Sequence, residues 1–218
     1  MKLHITLTSP YARIARAAII EHGIDDRIEV VSARTREPGS PYYEISPSGR
    51  VPFLERDDGP GLEETDLICA YLDTMSDRAP LLRRPEEADW QAGRLHALAR
   101  SFIDGLAVWV REMRRPENER SPTIIAHEAA RADRMLDLWE KEIATPLMQE
   151  GPSQQGPSQQ GQSQQGLTVT HLTLYCALDA ARQMMGADAM ASRPALAAWH
   201  ARLGDRPSLV ATRPPVRS

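Results

Sequence analysis

The chain has 218 residues, a formal net charge of −4, and 41% hydrophobic and 26% charged residues. This length allows one large domain or two small ones with a substantial core. Lys and Arg are scattered among Asp and Glu without a basic stripe, so the charge pattern gives no reason to expect nucleic acid as a partner.

The opening segment, MKLHITLTSP, lacks the apolar region and cleavage site of a signal peptide. No apolar run approaches the roughly 20 residues that span a bilayer. We therefore expect a cytosolic protein without a membrane partner. Cys69 and Cys176 lie far apart, and the six histidines show no ligand spacing. The sequence thus predicts neither a disulfide framework nor a metal site, and it disfavours a hydrolase or a metalloenzyme.

The first third of the chain predicts a small α/β unit over residues 1–76. KLHITL alternates like a strand, PYARIARAAIIEHGI has helical spacing and stops at Gly23, and RIEVVSA is a second strand. A right-handed β-α-β connection makes these strands parallel neighbours. After an irregular stretch, VPFLERDD, the turn DGPG and LEETDLICAYLDTM predict a strand, a turn and a helix.

Pro52 is unexpected inside the apolar run VPFLE, because proline cannot donate to a sheet ladder. It either marks the start of the strand or forms a cis bond with Val51. A cis bond would leave the main-chain N–H and C=O of Val51 outside the sheet and free to bind a ligand. From the residues alone the trans form is favoured, since only about 5–6% of X–Pro bonds in folded proteins are cis.

From Pro85 onward the sequence predicts an all-helical domain, over residues 86–218, after a linker at 77–85. Two apolar stripes with spacings of three and four support long helices. The first comprises Leu95, Leu98, Phe102, Leu106, Val110 and Met113; the second comprises Ala132, Leu136, Trp139, Ile143 and Leu147. Two further helices are predicted at Thr168–Gly186 and Pro194–Leu203.

Gly151–Gly166, GPSQQGPSQQGQSQQG, is a five-residue unit repeated with one change. Gly, Pro, Ser and Gln offer no apolar surface to bury, which predicts a disordered loop expansion. A short glutamine-rich interaction tract is the alternative interpretation.

TSPYA, residues 8–12, connects the first strand to the first helix. The N–H groups of Ser9, Tyr11 and Ala12 then lie at the electropositive end of that helix, where an anion binds favourably. Ser9 is equally a typical N-cap, with Pro10 at the first helical position. The two roles are compatible.

The order of these elements resembles the thioredoxin fold. Glutaredoxins carry Cys-Pro-Tyr-Cys at this strand-to-helix corner, where the present chain has Ser9-Pro10-Tyr11-Ala12. Both thiols are replaced, so the chain cannot perform dithiol exchange with these residues, but it can hold the thiol of another molecule.

With an all-helical second half, SPSGRVPFL in place of NPxGKVPxL, and Glu64-Thr65 in place of Glu-Ser, the chain resembles the cytosolic glutathione S-transferases. The resemblance implies an N-terminal thioredoxin-like α/β domain followed by a C-terminal helical bundle. It also implies that Val51–Pro52 is cis and that the backbone of Val51 pairs with the cysteinyl part of glutathione.

The resemblance implies further roles in glutathione binding. Glu64 would meet the γ-glutamyl ammonium, and the hydroxyl and N–H of Thr65 would meet its carboxylate. Arg50 would neutralise a ligand carboxylate, although a solvated surface arginine is nearly as common. Classes that write Ser-Pro-Phe or Ser-Pro-Tyr use the serine, which makes Ser9 the catalytic candidate, with Thr8 or Tyr11 as substitutes.

The implied activity is conjugation of the glutathione thiolate to a hydrophobic electrophilic small molecule, in a detoxifying homodimer. Tyr11, Phe102 and Leu106 are candidates for the electrophile pocket, although the last two are equally suited to the core. No cofactor is implied beyond glutathione as co-substrate. The alternatives are a non-catalytic glutathione-binding or regulatory protein and a glutathione-dependent disulfide reductase.

One position departs from the family pattern. Thr-x-x-Asp is common at the start of the helix that here begins near Thr168, whereas this chain has His171 at the third following position. We expect that difference to weaken the helix cap. His171 is interpreted as a structural residue.

Overall fold

The computed structural model describes residues 1–82, 90–149 and 166–215. Two compact units divide the chain: Met1–Leu82 together with the C-terminal segment from Arg206, and Arg83–Asp205. Residues 151–165 of the repeat and the last part of the predicted linker lie outside the described residues.

The N-terminal unit is the predicted thioredoxin-like α/β fold. Its elements are β1 (Lys2–Ile5), α1 (Pro10–His22), β2 (Glu29–Ser32), α2 (Tyr42–Ile45), β3 (Phe53–Glu55), β4 (Leu62–Glu63) and α3 (Thr65–Asp73). The strand order is β2-β1-β3-β4. As predicted, β1 and β2 are parallel, while β3 runs antiparallel to both β1 and β4.

The two faces of this sheet follow from the side-chain alternation of its central strands. Leu3 and Leu54 are register partners on one face and have no exposed surface. His4 and Phe53 are register partners on the other face. The ring of Tyr42, in α2, lies 5.6 Å from the ring of His4. Helix α2 therefore packs against the second face of the sheet at His4.

The second unit is the predicted helical bundle. Its main helices are α4 (Trp90–Met113), α5 (Pro122–Glu142), α6 (Val169–Met185) and α7 (Pro194–Gly204). Much of each predicted stripe lies in its core: Leu95, Phe102, Leu136 and Trp139 are each at most 1% exposed. Met113, at the end of α4, differs from the prediction because it is 38% exposed. No helix among the described residues has the length and apolar character needed to cross a membrane.

The C-terminal segment differs from the sequence-based division, which assigned it to the helical domain. The short helix α8 (Pro207–Ala211) packs with α1 in the N-terminal unit. The carboxylate of Glu21 accepts hydrogen bonds from Nε and Nη2 of Arg206, at 3.1 and 2.8 Å. Nη2 of Arg13 donates to the carbonyl of Leu209 at 3.1 Å. These contacts join residues nearly 200 positions apart, which no local pattern reveals.

The cap of α6 also differs from expectation, because His171 does not weaken it. Nδ1 of His171 accepts a hydrogen bond from the backbone N–H of Thr168 at 3.2 Å and lies 2.7 Å from the Thr168 hydroxyl. With the Thr168 side chain also accepting from the backbone N–H of His171, the two residues form a capping box. The imidazole supplies the acceptor that an acidic side chain supplies in the common pattern. The ring stacks on Trp199, in agreement with a structural role.

Candidate functional site

Strand register brings three separate chain segments to one end of the N-terminal sheet. His4, near the end of β1, pairs with Phe53 at the start of β3, and Phe53 also pairs with Glu63 at the end of β4. The segments after β1, before β3 and after β4 therefore leave the sheet at the same end. They contain Ser9, Val51 and Glu64-Thr65, respectively.

Helices α1 and α3 both begin at this end of the sheet. The first turn of a helix leaves backbone N–H groups without intrahelical partners and carries partial positive charge. A helix N-terminus of this kind suits the carboxylates and the thiolate of a small anionic ligand.

Ser9 is the N-cap of α1, and its Oγ accepts a hydrogen bond from the N–H of Ala12 at 3.2 Å. Pro10 occupies the first helical position. The N-cap interpretation is therefore confirmed. A hydroxyl has one donor hydrogen and two acceptor lone pairs, so capping leaves the O–H of Ser9 able to donate elsewhere. Thr8 is exposed and Tyr11 half-buried in the same turn.

The Val51–Pro52 peptide bond is cis, as the resemblance implied. Val51 lies outside the ladder, because the register of β1 and β3 begins at Phe53. Its side chain is half-buried while Pro52 is buried. The bond lies where the chain enters β3, which answers why a proline stands in this apolar run.

The turn that leads into this bond is ordered by side chains that sequence reasoning did not single out. The hydroxyl of Tyr42 donates to the carbonyl of Arg50 at 2.5 Å. Oγ of Ser48 accepts from the N–H of Arg50 at 3.2 Å and donates to Oε2 of Glu63 at 2.5 Å. An aromatic residue and a serine in a Ser/Pro/Gly-rich loop carry no signal for these contacts, which depend on the folded turn.

Gly49 makes the turn possible. Its φ is +64°, and a Cβ there would lie 2.6 Å from Cε1 of Tyr43. A residue with a side chain would therefore meet both backbone strain and a steric clash. The glycine of SPSGRVP is thus explained by local geometry.

Burial raises the pKa of the Tyr42 hydroxyl, with a further contribution from the negative charge of Glu63, against the opposing effect of a hydrogen bond with Ser46. Tyr42 is 4% exposed. Because its hydroxyl stays protonated at neutral pH, it remains a donor to the carbonyl of Arg50.

Glu64 and Thr65 follow β4 directly. Thr65 is the first residue of α3 and is 2% exposed. Glu64 has a φ of +70°, a conformation that is uncommon for a residue with a side chain and that recurs at ligand sites. Nη1 of Arg50 lies 3.9 Å from Oε1 of Glu64, with side chains 73% and 58% exposed. At that exposure the ion pair contributes little to stability.

Phe102 and Leu106, the other candidates for the electrophile pocket, lie on α4 in the helical unit. They are 1% and 2% exposed. Burial of this degree fits the core alternative that the sequence left open.

No group of three or more His, Cys, Asp or Glu side chains in ranges 1–82, 90–149 and 166–215 could hold a metal ion. Cys69 and Cys176 are buried thiols that are not joined in a disulfide.

Comparison with known proteins gives the class to which this fold corresponds. Residues 8–75 match the family model described as Glutathione S-transferase, N-terminal domain. The family resemblance predicted from the sequence is therefore confirmed for the N-terminal domain.

Particular relatives agree with this assignment. A glutathione transferase family member from Pseudomonas fluorescens Pf-5, solved with bound glutathione, is 25% identical; the match covers 99% of each chain with a TM-score of 0.81. A glutathione S-transferase from Methylobacillus flagellatus KT, solved with glutathione bound, is 26% identical over 98% of this chain and 99% of that one, with a TM-score of 0.80. The Escherichia coli K12 protein named uncharacterized GST-like protein YibF is 26% identical over 140 residues, which are 64% of this chain and 68% of that protein.

Proposed function

We propose that this protein is a glutathione transferase, which binds glutathione at the end of the N-terminal sheet and transfers its sulfur to an electrophilic small molecule. One observation carries the proposal. Ser9 at the start of α1, the cis Val51–Pro52 bond and Glu64-Thr65 at the start of α3 come from three distant segments and leave the sheet at one end.

The main chain at Val51, which lies outside the sheet ladder, is the anchor for the middle of the ligand. Glutathione is an extended anionic tripeptide, and a strand-like segment outside the ladder can pair with its cysteinyl amide. Glu64 then binds the γ-glutamyl ammonium, and Thr65 at the helix N-terminus binds its carboxylate. Arg50, 73% exposed, neutralises a remaining carboxylate of the ligand.

Ser9 is the group that stabilises the thiolate. A free thiol with a pKa near 8.5 is only a few per cent ionised at pH 7. Lowering that pKa by about two units requires roughly 2.7 kcal/mol. A charge-assisted hydrogen bond of ~1.5–3 kcal/mol from the Ser9 O–H, together with ~0.3–2 kcal/mol from the start of α1, is sufficient.

The electrophile is a hydrophobic small molecule, and Tyr11, in the first turn of α1, is the candidate residue at the border of its pocket. Conjugation of this kind serves detoxification. We further propose a cytosolic homodimer. Leu67, 52% exposed on α3 next to the buried Ile68, is an apolar side chain that we expect a second copy to cover.

The decisive experiment measures glutathione binding and turnover on the same purified protein. Isothermal titration calorimetry should give a saturable glutathione signal, and an aromatic halide should be conjugated in a glutathione-dependent reaction. Binding without conjugation would favour a non-catalytic binder, and reduction of a mixed disulfide with glutathione would favour a reductase. Absence of glutathione binding would refute the proposal. Light scattering in the same buffer tests for twice the chain mass of 24.3 kDa.

A further inference from the structure

The side chain of Tyr42 connects the sheet face that carries His4 to the turn that precedes the cis Val51–Pro52 bond. Tyr42 is the first residue of α2 and is 4% exposed. Its ring lies 5.6 Å from the ring of His4, on the central strand β1. The hydroxyl reaches the carbonyl of Arg50 at 2.5 Å, a short hydrogen bond. A buried, packed ring therefore holds one end of an exposed turn.

That carbonyl belongs to the same peptide plane as the N–H of Val51. The Arg50–Val51 bond is trans, unlike the bond that follows it. In a planar trans peptide the N–H points opposite to the C=O. Because the hydroxyl of Tyr42 fixes the direction of the Arg50 carbonyl, it also fixes the direction of the Val51 N–H, which faces away from Tyr42.

The preceding peptide plane is held as well. The N–H of Arg50 donates to Oγ of Ser48 at 3.2 Å, and that hydroxyl donates to Glu63 beside the end of β4. Both main-chain groups of Arg50 thus have side-chain partners. The plane that presents Val51 is defined before any ligand arrives.

We infer that Tyr42 is a positioning residue for glutathione, which orients the main-chain donor of Val51 through the carbonyl of Arg50. The inference rests on the proposed function and adds a residue that touches neither the ligand nor the sulfur. Because the donor is oriented before glutathione binds, less conformational entropy is lost on binding. The Tyr42 hydroxyl therefore affects the affinity for glutathione. Ionisation of the glutathione thiol depends on Ser9 and the start of α1 and does not depend on Tyr42.

Tyr42→Phe tests the inference, because phenylalanine keeps the ring against His4 and removes only the hydroxyl. We expect the glutathione Kd and KM to rise about three- to tenfold, the range that one neutral hydrogen bond provides. The kcat at saturating glutathione and the pKa of the bound thiol should stay unchanged. Tyr71→Phe is the matched control, since it removes a tyrosine hydroxyl that donates to Asp58 near the C-terminal end of α3, and it should leave both constants unaltered.

A second ligand distinguishes positioning from general loosening of the fold. In an analogue with a trans-alkene in place of the cysteinyl–glycine amide, the carbonyl that would accept from Val51 is missing. Tyr42→Phe should weaken binding of glutathione but not of this analogue, since the coupled contact no longer exists. The amide resonance of Val51 in ligand-free protein should shift in Tyr42→Phe and not in Tyr71→Phe.

The outcomes separate the inference from the proposed function. Equal glutathione affinity in wild type and Tyr42→Phe overturns the inference and leaves the proposed function intact. A parallel fall of kcat and melting temperature also overturns it, because it indicates a structural role. If the wild-type protein fails to bind glutathione, the proposed function fails and the inference fails with it.

Discussion

The Ser9 hydroxyl has two hydrogen-bonding roles at the proposed active site. It accepts from the N–H of Ala12 as the cap of α1, and it retains a hydrogen that can be donated to sulfur. Any substitution therefore affects stability and chemistry together. The two effects can be separated because a second serine, Ser121, caps a helix but does not belong to the proposed site.

Ser9→Ala should raise the pKa of bound glutathione and slow conjugation, while the glutathione Kd changes little. It should also cost about 1 kcal/mol of stability through the lost cap. Ultraviolet titration of the bound thiolate and a thermal melt measure the two effects.

Ser121→Ala is the matched control for this variant. Ser121 caps α5, accepts from the N–H of Ile124 at 3.3 Å and precedes a proline, as Ser9 does. It should show a comparable loss of stability with no change in the thiol pKa. An unaltered thiol pKa in Ser9→Ala would move the proposed role to Thr8, Tyr11 or backbone N–H groups.

At the scale of elements, the docking of α8 on α1 depends on a partly buried carboxylate. Burial opposes the ionisation of Glu21, but hydrogen bonds from Arg206 and Ser208 outweigh it and hold the pKa of this carboxyl below its ordinary value. A carboxyl with a lowered pKa in the folded state stabilises the protein above its unfolded pKa and loses that effect as the pH falls.

Glu21→Gln should therefore lower the free energy of unfolding at pH 7 by about 1–2 kcal/mol, a value reduced for partial solvent screening. The difference from wild type should shrink as the pH falls below about 4.3, the ordinary glutamate value, because the wild-type carboxyl then becomes protonated. Urea unfolding between pH 3.5 and 7 measures this difference in the free energy of unfolding. Glu44→Gln, at an exposed position on α2, should have little effect at any pH. A pH-independent difference would contradict this account.

The cap of α6 gives a second prediction at this scale. Thr168 and His171 are 8% and 1% exposed, and their hydrogen bonds complete the first turn of a helix at the centre of the bundle. Thr168→Ala should destabilise the protein by about 1 kcal/mol, and Thr168→Ser should restore most of the loss, since serine keeps the capping hydroxyl. Chemical denaturation compares the three proteins. Equal stability of all three would show that the histidine alone caps the helix.

At the scale of the whole molecule, the repeat is flanked by anchored residues. On one side, Met148 is 1% exposed and its carbonyl accepts from the indole of Trp199 at 3.0 Å. On the other side, Thr168 caps α6. A deletion that retains Glu150 and Leu167 keeps both anchors.

Replacing Gly151–Gly166 with one or two glycines should leave the melting temperature and glutathione binding nearly unchanged. The repeat has no apolar side chain to contribute to a core, and shortening a loop changes its closure free energy by only about 0.6 kcal/mol per halving. Thermal melts, calorimetry and light scattering on the deletion variant test this. A large fall in melting temperature, or a change of oligomeric mass, would show that the segment makes contacts essential to the fold.

Much of the molecule follows from local patterns in the sequence. Helical periodicity placed the long helices, alternation placed β1, and Ser-Pro predicted the capped start of α1. These features depend on residues within a few positions of each other, where propensity and side-chain spacing dominate. The cis bond was open from the residues alone and became an expectation only through the family resemblance.

Other features arise only from tertiary structure, because they join residues distant in sequence. The attachment of α8 to Glu21, the contact of Tyr42 with Arg50 and the buried stacking of His171 on Trp199 each require the folded chain. The site itself belongs to both classes: its residue types could be selected from motifs, whereas strand register alone brings Ser9, Val51 and Glu64 to one end of the sheet. Register depends on pairing across the whole sheet, and no single segment encodes it.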